Sequence, residues 1–502
     1  MSVVEIENID DLQAMNNTLS SEHILMNDID ASDTTTWNGG EGFKPIGEDF
    51  PDEFYGILDG RGFIIKGLYI NRPTRDYTGL FAYNVGVLEN IVLEDVEIIG
   101  KDDVGGIAGM NDYIIKNCLV KGLVTGENYV GGITGYNTYN LGWNTFTGTV
   151  TGNDFVGGVA GTNRHMGLLF ESFSYGSITG NNRVGGLLGH DKGETKRCKS
   201  HMDVQGNDYV GGLIGECGEF INHGIYLKQC CAHGNVQGNN RIGGLTGFLN
   251  TTTDDVYARG NVQGNDYVGG LIGYCLERVL THGYSTGLVQ GTTNKGGLVG
   301  GSFPGFTPTV VNSFWDTITS GQTISDGGTG KTTTELKQIS TYETWDIETL
   351  RHHETETWWL QEQADYPRLS WETKPTNPMK MLSDVVVERQ GQPITHIKHV
   401  STGLNEFDEP NITTTETTIY AYLSSKTERE AIRHEGRFGS FDLVATILHD
   451  TDVRVDRSGG NDIFIINDTP FKVVGIDQIH HPLSKQEKQK IFLQKLVGRE
   501  TP

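Results

Sequence analysis

Three aspartates at one recurring position, Asp154, Asp208 and Asp266, are the side chains best placed for acid–base chemistry. Carboxylates lined up on one face of stacked strands are what glycosidic cleavage needs. Their spacing argues against it. Asn182 and Asn240 alternate with them, so successive acids lie two turns apart, roughly 10 Å at the spacing of paired strands. Asn and Asp in such a row suit tight turns. The run Gly327-Gly328-Thr329-Gly330-Lys331-Thr332 invites reading as a phosphate loop, but the pattern needs Gly where Ser325 stands. The pairs His352-His353 and His480-His481 are adjacent, so their rings diverge and neither pair alone holds a metal. Six cysteines show no CxxC spacing. Cys118, Cys198 and Cys230 share one repeat position, Cys217 and Cys275 another, as small buried side chains would. No HExxH or GxSxG occurs. These residues predict no catalytic centre, no metal, no cofactor and no enzyme.

The elements that would hold them come from a repeat. Val104-Gly105-Gly106-Ile107-Ala108-Gly109 recurs from Val130, Val156, Val184, Val210, Ile242, Val268 and Lys295, and a weaker copy starts at Thr78. The steps are 26, 26, 26, 28, 26, 32, 26 and 27 residues. A fixed period in this range marks a stacked-repeat fold. Each period holds three short strands and three turns, one coil of a parallel β-helix. Nine coils would span roughly 40–45 Å. Val104 and Ile107 are three apart, so strict alternation fails. A Gly-Gly corner at φ values open only to Gly would turn both inward. Asn111, Asn137, Asn163 and Asp191 share a position and predict a hydrogen-bonded ladder along the axis.

A solenoid must cover its ends. Residues 8–19 predict a short amphipathic helix, with Asn8 as N-cap and Ile9, Leu12 and Met15 on one face. Residues 313–372 hold five of the seven Trp and predict a cap over the last coil. The net charge is −25, most of it within residues 1–382. Such a surface disfavours nonspecific nucleic-acid binding and is compatible with a high-salt milieu, although Lys is as common as Arg. The start, Met1-Ser2-Val3-Val4-Glu5, lacks a basic and apolar leader, and no apolar run approaches a membrane span. The expectation is a chain without its own secretion signal or membrane insertion.

Three features resemble GLUG-repeat proteins: the signature, the lead-in 55–65 (Tyr55-Gly56-Ile57-Leu58-Asp59-Gly60-Arg61-Gly62-Phe63-Ile64-Ile65), and the exit Asn312-Ser313-Phe314-Trp315-Asp316 through Trp345-Asp346. The resemblance covers residues 1–372. It implies a right-handed parallel β-helix used in surface attachment or display.

The pattern stops after Trp371. The organisation expected is an N-terminal cap and first coil (1–76), repeats (77–312), a Trp-rich cap (313–372), a linker (373–382) and a small β-barrel domain (383–502). The whole chain is then all-β, apart from short helices. Alternation marks strands within 394–397, 415–423, 441–448, 462–466 and 471–476. Ser484-Lys485-Gln486-Glu487 is a capping box that predicts a C-terminal helix to about residue 497. Two charged loops, 424–439 and 452–462, interrupt the strands. Together with 471–476 this order resembles the head-completion (stopper-type) head–tail connector proteins of tailed viruses. That resemblance implies that Arg429, Arg433, Glu435, Arg437, Arg454 and Arg457 contact neighbouring subunits or line a DNA channel. It implies a homo-oligomeric ring at a virion neck, with portal and tail-completion proteins as partners and the β-helix projecting as a whisker. The alternative is an adhesin or receptor-binding β-helix at a cell surface, recognising a glycan.

Overall fold

The computed structural model describes residues 3–48, 51–218, 226–276, 278–305, 308–349 and 357–373, and six strands further on. The chain divides into two compact units, Met1–Pro375 and Thr376–Pro502.

The first unit is a parallel β-solenoid of about nine coils. One face is a nine-stranded sheet running from Phe81–Asn84 to Val299–Ser302, and a second is an eight-stranded sheet from Val104–Gly105 to Lys295–Gly296. The third face belongs to a 25-stranded sheet and uses two strands per coil, such as Ile114–Lys116 and Leu119–Thr125. The sequence period is the register itself: Val104 pairs with Val130, Val130 with Val156 and Val156 with Val184, all parallel. Both aliphatics of each signature point inward, Val104 and Ile107 being fully buried, as the sequence predicts.

The expected reason is corrected. The signature glycines are not in the left-handed region. The positive φ falls on the non-glycine residue just before each signature: Asp103, Tyr129, Phe155, Arg183, Tyr209, Arg241 and Tyr267, all between 51° and 59°, and Asn294 at 42°. The glycines answer to crowding. A Cβ on Gly106 would meet the Gly132 carbonyl oxygen of the next coil at 2.5 Å. A second left-handed ladder, including Asn117, Trp143, Glu171 and Arg197, divides the third face into its two strands.

The polar ladder forms as expected and is one rung longer. Asn84, Asn111, Asn137 and Asn163 are fully buried. Each donates its amide to the next side-chain oxygen, at 2.7, 2.7, 2.8 and 2.9 Å, ending on Asp191. Every Asn both donates and accepts. The last member need only accept, so a carboxylate fits, held also by Thr195 Oγ1 and the Gly193 amide. Burial nevertheless pushes the Asp191 carboxyl up to about 6. Its folded pKa lies above the unfolded one, so its contribution is complete below pH 4 and is lost as pH rises through 6. Asp191→Asn should therefore raise stability by about 1–3 kcal/mol at pH 8 and change little at pH 4. Denaturant midpoints at the two pH values check this.

At the N-terminal end the cap helix α1 spans Ile9–Ala14 and runs into a 3-10 turn, Met15–Asn17. Asn8 accepts the Asp11 amide at 3.0 Å, and Leu12 and Met15 are buried. At the other end Trp315 joins the solenoid core, its Nε1 donating to the Gln322 carbonyl at 3.0 Å. The expected cap over the last coil is otherwise corrected. Trp345, Trp358 and Trp371 do not stack on the end; the chain turns back and packs sideways on the third face. There Tyr257, Tyr284 and Phe314, in register on successive coils, form a second apolar cluster with Tyr342, Trp345, Trp358, Leu360 and Leu369.

In the second unit, Gln392–Leu404, Pro410–Ser425, Leu443–Leu448, Ile463–Ile466, Thr469–Ile479 and Lys488–Lys495 are strands, paired antiparallel. The expected C-terminal helix is corrected: Lys488–Lys495 lies between Leu443–Leu448 and Thr469–Ile479. A local capping signal is outweighed there by pairing with two strands, which suits the central Ile491 and Phe492. Most of the expected linker, 374–382, lies outside the described residues.

Candidate functional site

The left-handed residues before the signatures form a row on the outside of the solenoid: Tyr77, Asp103, Tyr129, Phe155, Arg183, Tyr209, Arg241, Tyr267. All are half-buried. Positive φ swings each side chain out of the strand, and parallel register sets successive members one coil apart. A second row lies beside it, Tyr83, Met110, Tyr136, Thr162, His190, Glu216, Phe248 and Tyr274, held in register strand by strand.

The two rows interlock. Tyr129 stacks on Phe155 at 4.6 Å between centroids, and Tyr267 meets Tyr274 edge-on at 4.7 Å. Arg183 lies 4.9 Å from the Phe155 ring and 5.3 Å from Tyr209; Arg241 lies 4.8 Å from Tyr209 and 5.4 Å from Tyr274. Arg183 also pairs with Glu216. From Tyr129 to Tyr274 the result is a stripe of rings and guanidinium groups, which Asp103 and Met110 separate from Tyr77 and Tyr83. Burial, with Asp102 and Asp76 nearby, holds the Asp103 carboxyl up to about 7. This stripe can stack on apolar ring faces and hydrogen-bond polar groups. Nothing in it is arranged as a nucleophile beside a base.

A second constellation lies beneath the returning C-terminal segment. Glu372, almost fully buried, accepts from Lys199 Nζ at 3.1 Å, from the Tyr257 hydroxyl at 2.7 Å and from the Leu369 amide at 3.0 Å. Burial works against the Lys199 charge, but Cys231 and Glu372 beside it hold its pKa above the usual value. His233 bonds the Tyr257 hydroxyl at 2.9 Å, and burial with Lys199 nearby pushes the ring down to about 2. Further along, Arg259 bridges Asp365 and the carbonyls of Tyr366 and Pro367.

Among the described residues, two groups have donor atoms close enough for a metal ion: Cys231, His233 and Glu372, and Asp254, Asp255 and His282. Both are already satisfied by protein. Lys199 and Tyr257 occupy the first. Lys228 Nζ lies 3.1 Å from Asp254, and Trp358 Nε1 donates to Asp255 at 2.9 Å in the second. Hydrogen bonds to Asp254 and Asp255 raise His282 to about 9. The first is an ion pair that fastens the returning segment through Glu372; the second ties neighbouring coils together and holds the segment only through Trp358. The sequence did not reveal them because their members come from different coils.

The aspartates singled out from the sequence are used in turns. Asn182, Asn240 and Asn294 donate side-chain amides to Asp154, Asp208 and Asp266 at 2.9, 2.9 and 2.7 Å. Alternating Asn with Asp keeps like charges off adjacent coils. Thr329–Lys331, within the phosphate-loop-like run, is a strand paired with Phe314–Asp316. All six cysteines are free and buried, as their repeat positions predict. Arg429, Arg433, Glu435, Arg437, Arg454 and Arg457 lie outside the described residues, as do His352-His353 and His480-His481.

The fold defines the first unit as a parallel β-solenoid with an aromatic–arginine stripe. In sequence the chain is similar to halomucin of Haloquadratum walsbyi, 40% identical over 134 residues, covering 25% of this chain and 2% of halomucin. It is similar to an immunoglobulin A1 protease of Streptococcus sanguinis, 30% identical over 117 residues, covering 23% of this chain and 6% of that protein. The chain thus spans only a small part of the length of these relatives. Among solved structures, a candidate immunoglobulin A1 protease from Bacteroides ovatus aligns over 74% of this chain and 93% of its own, with a TM-score of 0.36 and 16% identity. No family model matches the chain, so the repeat-family likeness rests on the residues quoted for it.

Proposed function

We propose that this chain is a surface-display or adhesin β-solenoid whose stripe recognises a cell-surface glycan, and that it binds rather than catalyses. The carrying observation is the interlocked double row from Tyr77 to Tyr274. Rings and guanidinium groups recurring along successive coils from Tyr129 to Tyr274 suit a repeating, ring-built ligand. The two curated relatives support a surface-associated β-solenoid better than a virion neck component. The neck-ring reading rested on loops that lie mostly outside the described residues. The second unit, read as a small β-barrel, would then be a mount for the solenoid. No described helix is long and apolar enough to cross a membrane.

A glycan array probed with the full chain tests the proposal. The chain should bind a defined subset of surface glycans. Phe155→Ala with Tyr267→Ala should weaken binding by about thirtyfold, the loss of roughly 2 kcal/mol expected for an anchoring ring. A silent array, or binding indifferent to both substitutions, would sink the reading.

A further inference from the structure

We propose that a shallow cavity in the N-terminal cap, between helix α1 and the loop 32–44, is a site for one neutral hexose ring. It needs nothing from the stripe, because none of its residues belongs to the repeats.

The first observation is a cavity with fixed walls. Its volume is about 560 Å³, and both the helix and the loop line it; small-molecule sites fall in this range. On the helix side Gln13 clamps the Lys44 backbone, donating to its carbonyl and accepting from its amide, each at 2.9 Å. Asn16 accepts the Gly47 amide at 3.1 Å and donates to the Gln13 carbonyl at 3.4 Å. On the loop side Asn38 and Gly39 lie at φ 52° and 69°, so the chain turns sharply after Trp37. Asn38 Nδ2 donates to the Gly42 carbonyl at 2.8 Å, and the Gly42 amide to the Trp37 carbonyl at 3.1 Å. Walls set before binding lose little freedom when a ligand arrives.

The second observation is what those bonds leave free. Trp37 is half-buried and packs on Phe43, 6.3 Å between centroids. Among the described residues no other ring and no guanidinium lies over it. Trp37 Nε1, the Asp10 carboxylate and the Asn17 amide have no hydrogen-bond partner there, and all three side chains line the cavity. Asp10 and Asn17 are exposed. The charged groups lining it are Asp10 and Lys44. Lys44 Nζ is held by Glu48 at 2.9 Å, and Asp11 follows Asp10 in the first turn of the helix. The balance is acidic and repels an anionic ligand.

The free groups match one chemistry. An indole offers apolar surface to the C–H face of a sugar ring. Its N–H donates, a carboxylate accepts and an amide does both. Neighbouring hydroxyls on a hexose can answer all three, since each hydroxyl donates and accepts. An ammonium ligand would suit Asp10 and the indole, but would leave the Trp37 N–H and the Asn17 amide hydrogens without an acceptor.

Saturation-transfer NMR on the full chain tests this with methyl glucoside, methyl galactoside and methyl mannoside, and with choline as the cationic control. At least one hexoside should receive saturation and choline none. Trp37→Ala should lower hexoside affinity about tenfold and Asp10→Ala about fivefold. Phe155→Ala with Tyr267→Ala should leave it unchanged, which separates this site from the stripe. Should Trp37→Ala disturb the cap, Asp10→Ala and Asn17→Ala, both at exposed positions, carry the test. Transfer to none of the hexosides, or a preference for choline, would overturn the cap site and leave the stripe to the glycan array. Hexoside binding that survives Trp37→Ala and is lost with the stripe pair would overturn the cap site and support the stripe.

Discussion

Replacing Glu372 by Ala should destabilise the solenoid unit by about 3–5 kcal/mol, the usual cost of breaking a buried ion pair from one side. Lys199 would keep its charge beside Cys231 and Tyr257, with the Glu372 oxygens gone. The Leu369 amide and the Tyr257 hydroxyl would lose an acceptor. Because Glu372 lies 173 residues from Lys199 in sequence, the loss should show first as release of the returning segment. Protease cleavage within 316–373 should accelerate before the coils unfold. Glu372→Gln keeps the shape and most of the hydrogen bonds, so it should cost less than Ala. Lys199→Met combined with Glu372→Met removes both charges and should recover most of the loss, since apolar replacement of a buried pair is often neutral. Denaturant midpoints of wild type and the three variants rank these costs. A double variant as unstable as Glu372→Ala would mean that packing, not charge, holds the segment.

That contact also shows where the sequence falls silent. The coil was legible because its register equals its period: Val104, Val130 and Val156 had to stack once the spacing was read. The Asn ladder followed from the same arithmetic, since identical side chains one coil apart must meet. Lys199 and Glu372 share no period, and neither do Arg259 and Asp365, so only the folded chain brings them together. The stripe was hidden for another reason. Gly-Gly drew attention to itself as the place for unusual φ, while the left-handed residue was the Tyr, Phe or Arg one step earlier. Gly is required where the next coil's backbone leaves no room for a Cβ, which a local rule cannot see. The capping box at Ser484 failed likewise: its signal is local, and the pairing of Lys488–Lys495 with two strands is not.

Asn137→Ala should cost about 2–5 kcal/mol, because it cuts the buried ladder at its middle rung. Three hydrogen bonds go at once: the one accepted from Asn111 at 2.7 Å, the one donated to Asn163 at 2.8 Å and the one donated to the Tyr139 carbonyl at 2.8 Å. Each buried group left without a partner costs about 1–3 kcal/mol. Asn111 keeps the Tyr113 carbonyl at 3.3 Å and the Tyr139 carbonyl keeps the Leu168 amide at 3.0 Å, so both are partly rescued; the Asn163 Oδ1 loses its ladder donor. Asn137→Asp is the sharper variant. An ionised carboxylate could still accept from Asn111, but it would face the Asn163 oxygen and the Tyr139 carbonyl with no hydrogen to give. At Asp191 the same carboxylate is tolerated because Thr195 and the Gly193 amide supply donors and no further rung follows. Asn137→Asp should thus be at least as damaging as Asn137→Ala at pH 8 and should recover on acidification, when a protonated carboxyl can donate again. Stability measured across pH 4 to 8 reads this directly. A flat profile for Asn137→Asp would show that the ladder is held by backbone register and that its side-chain bonds add little.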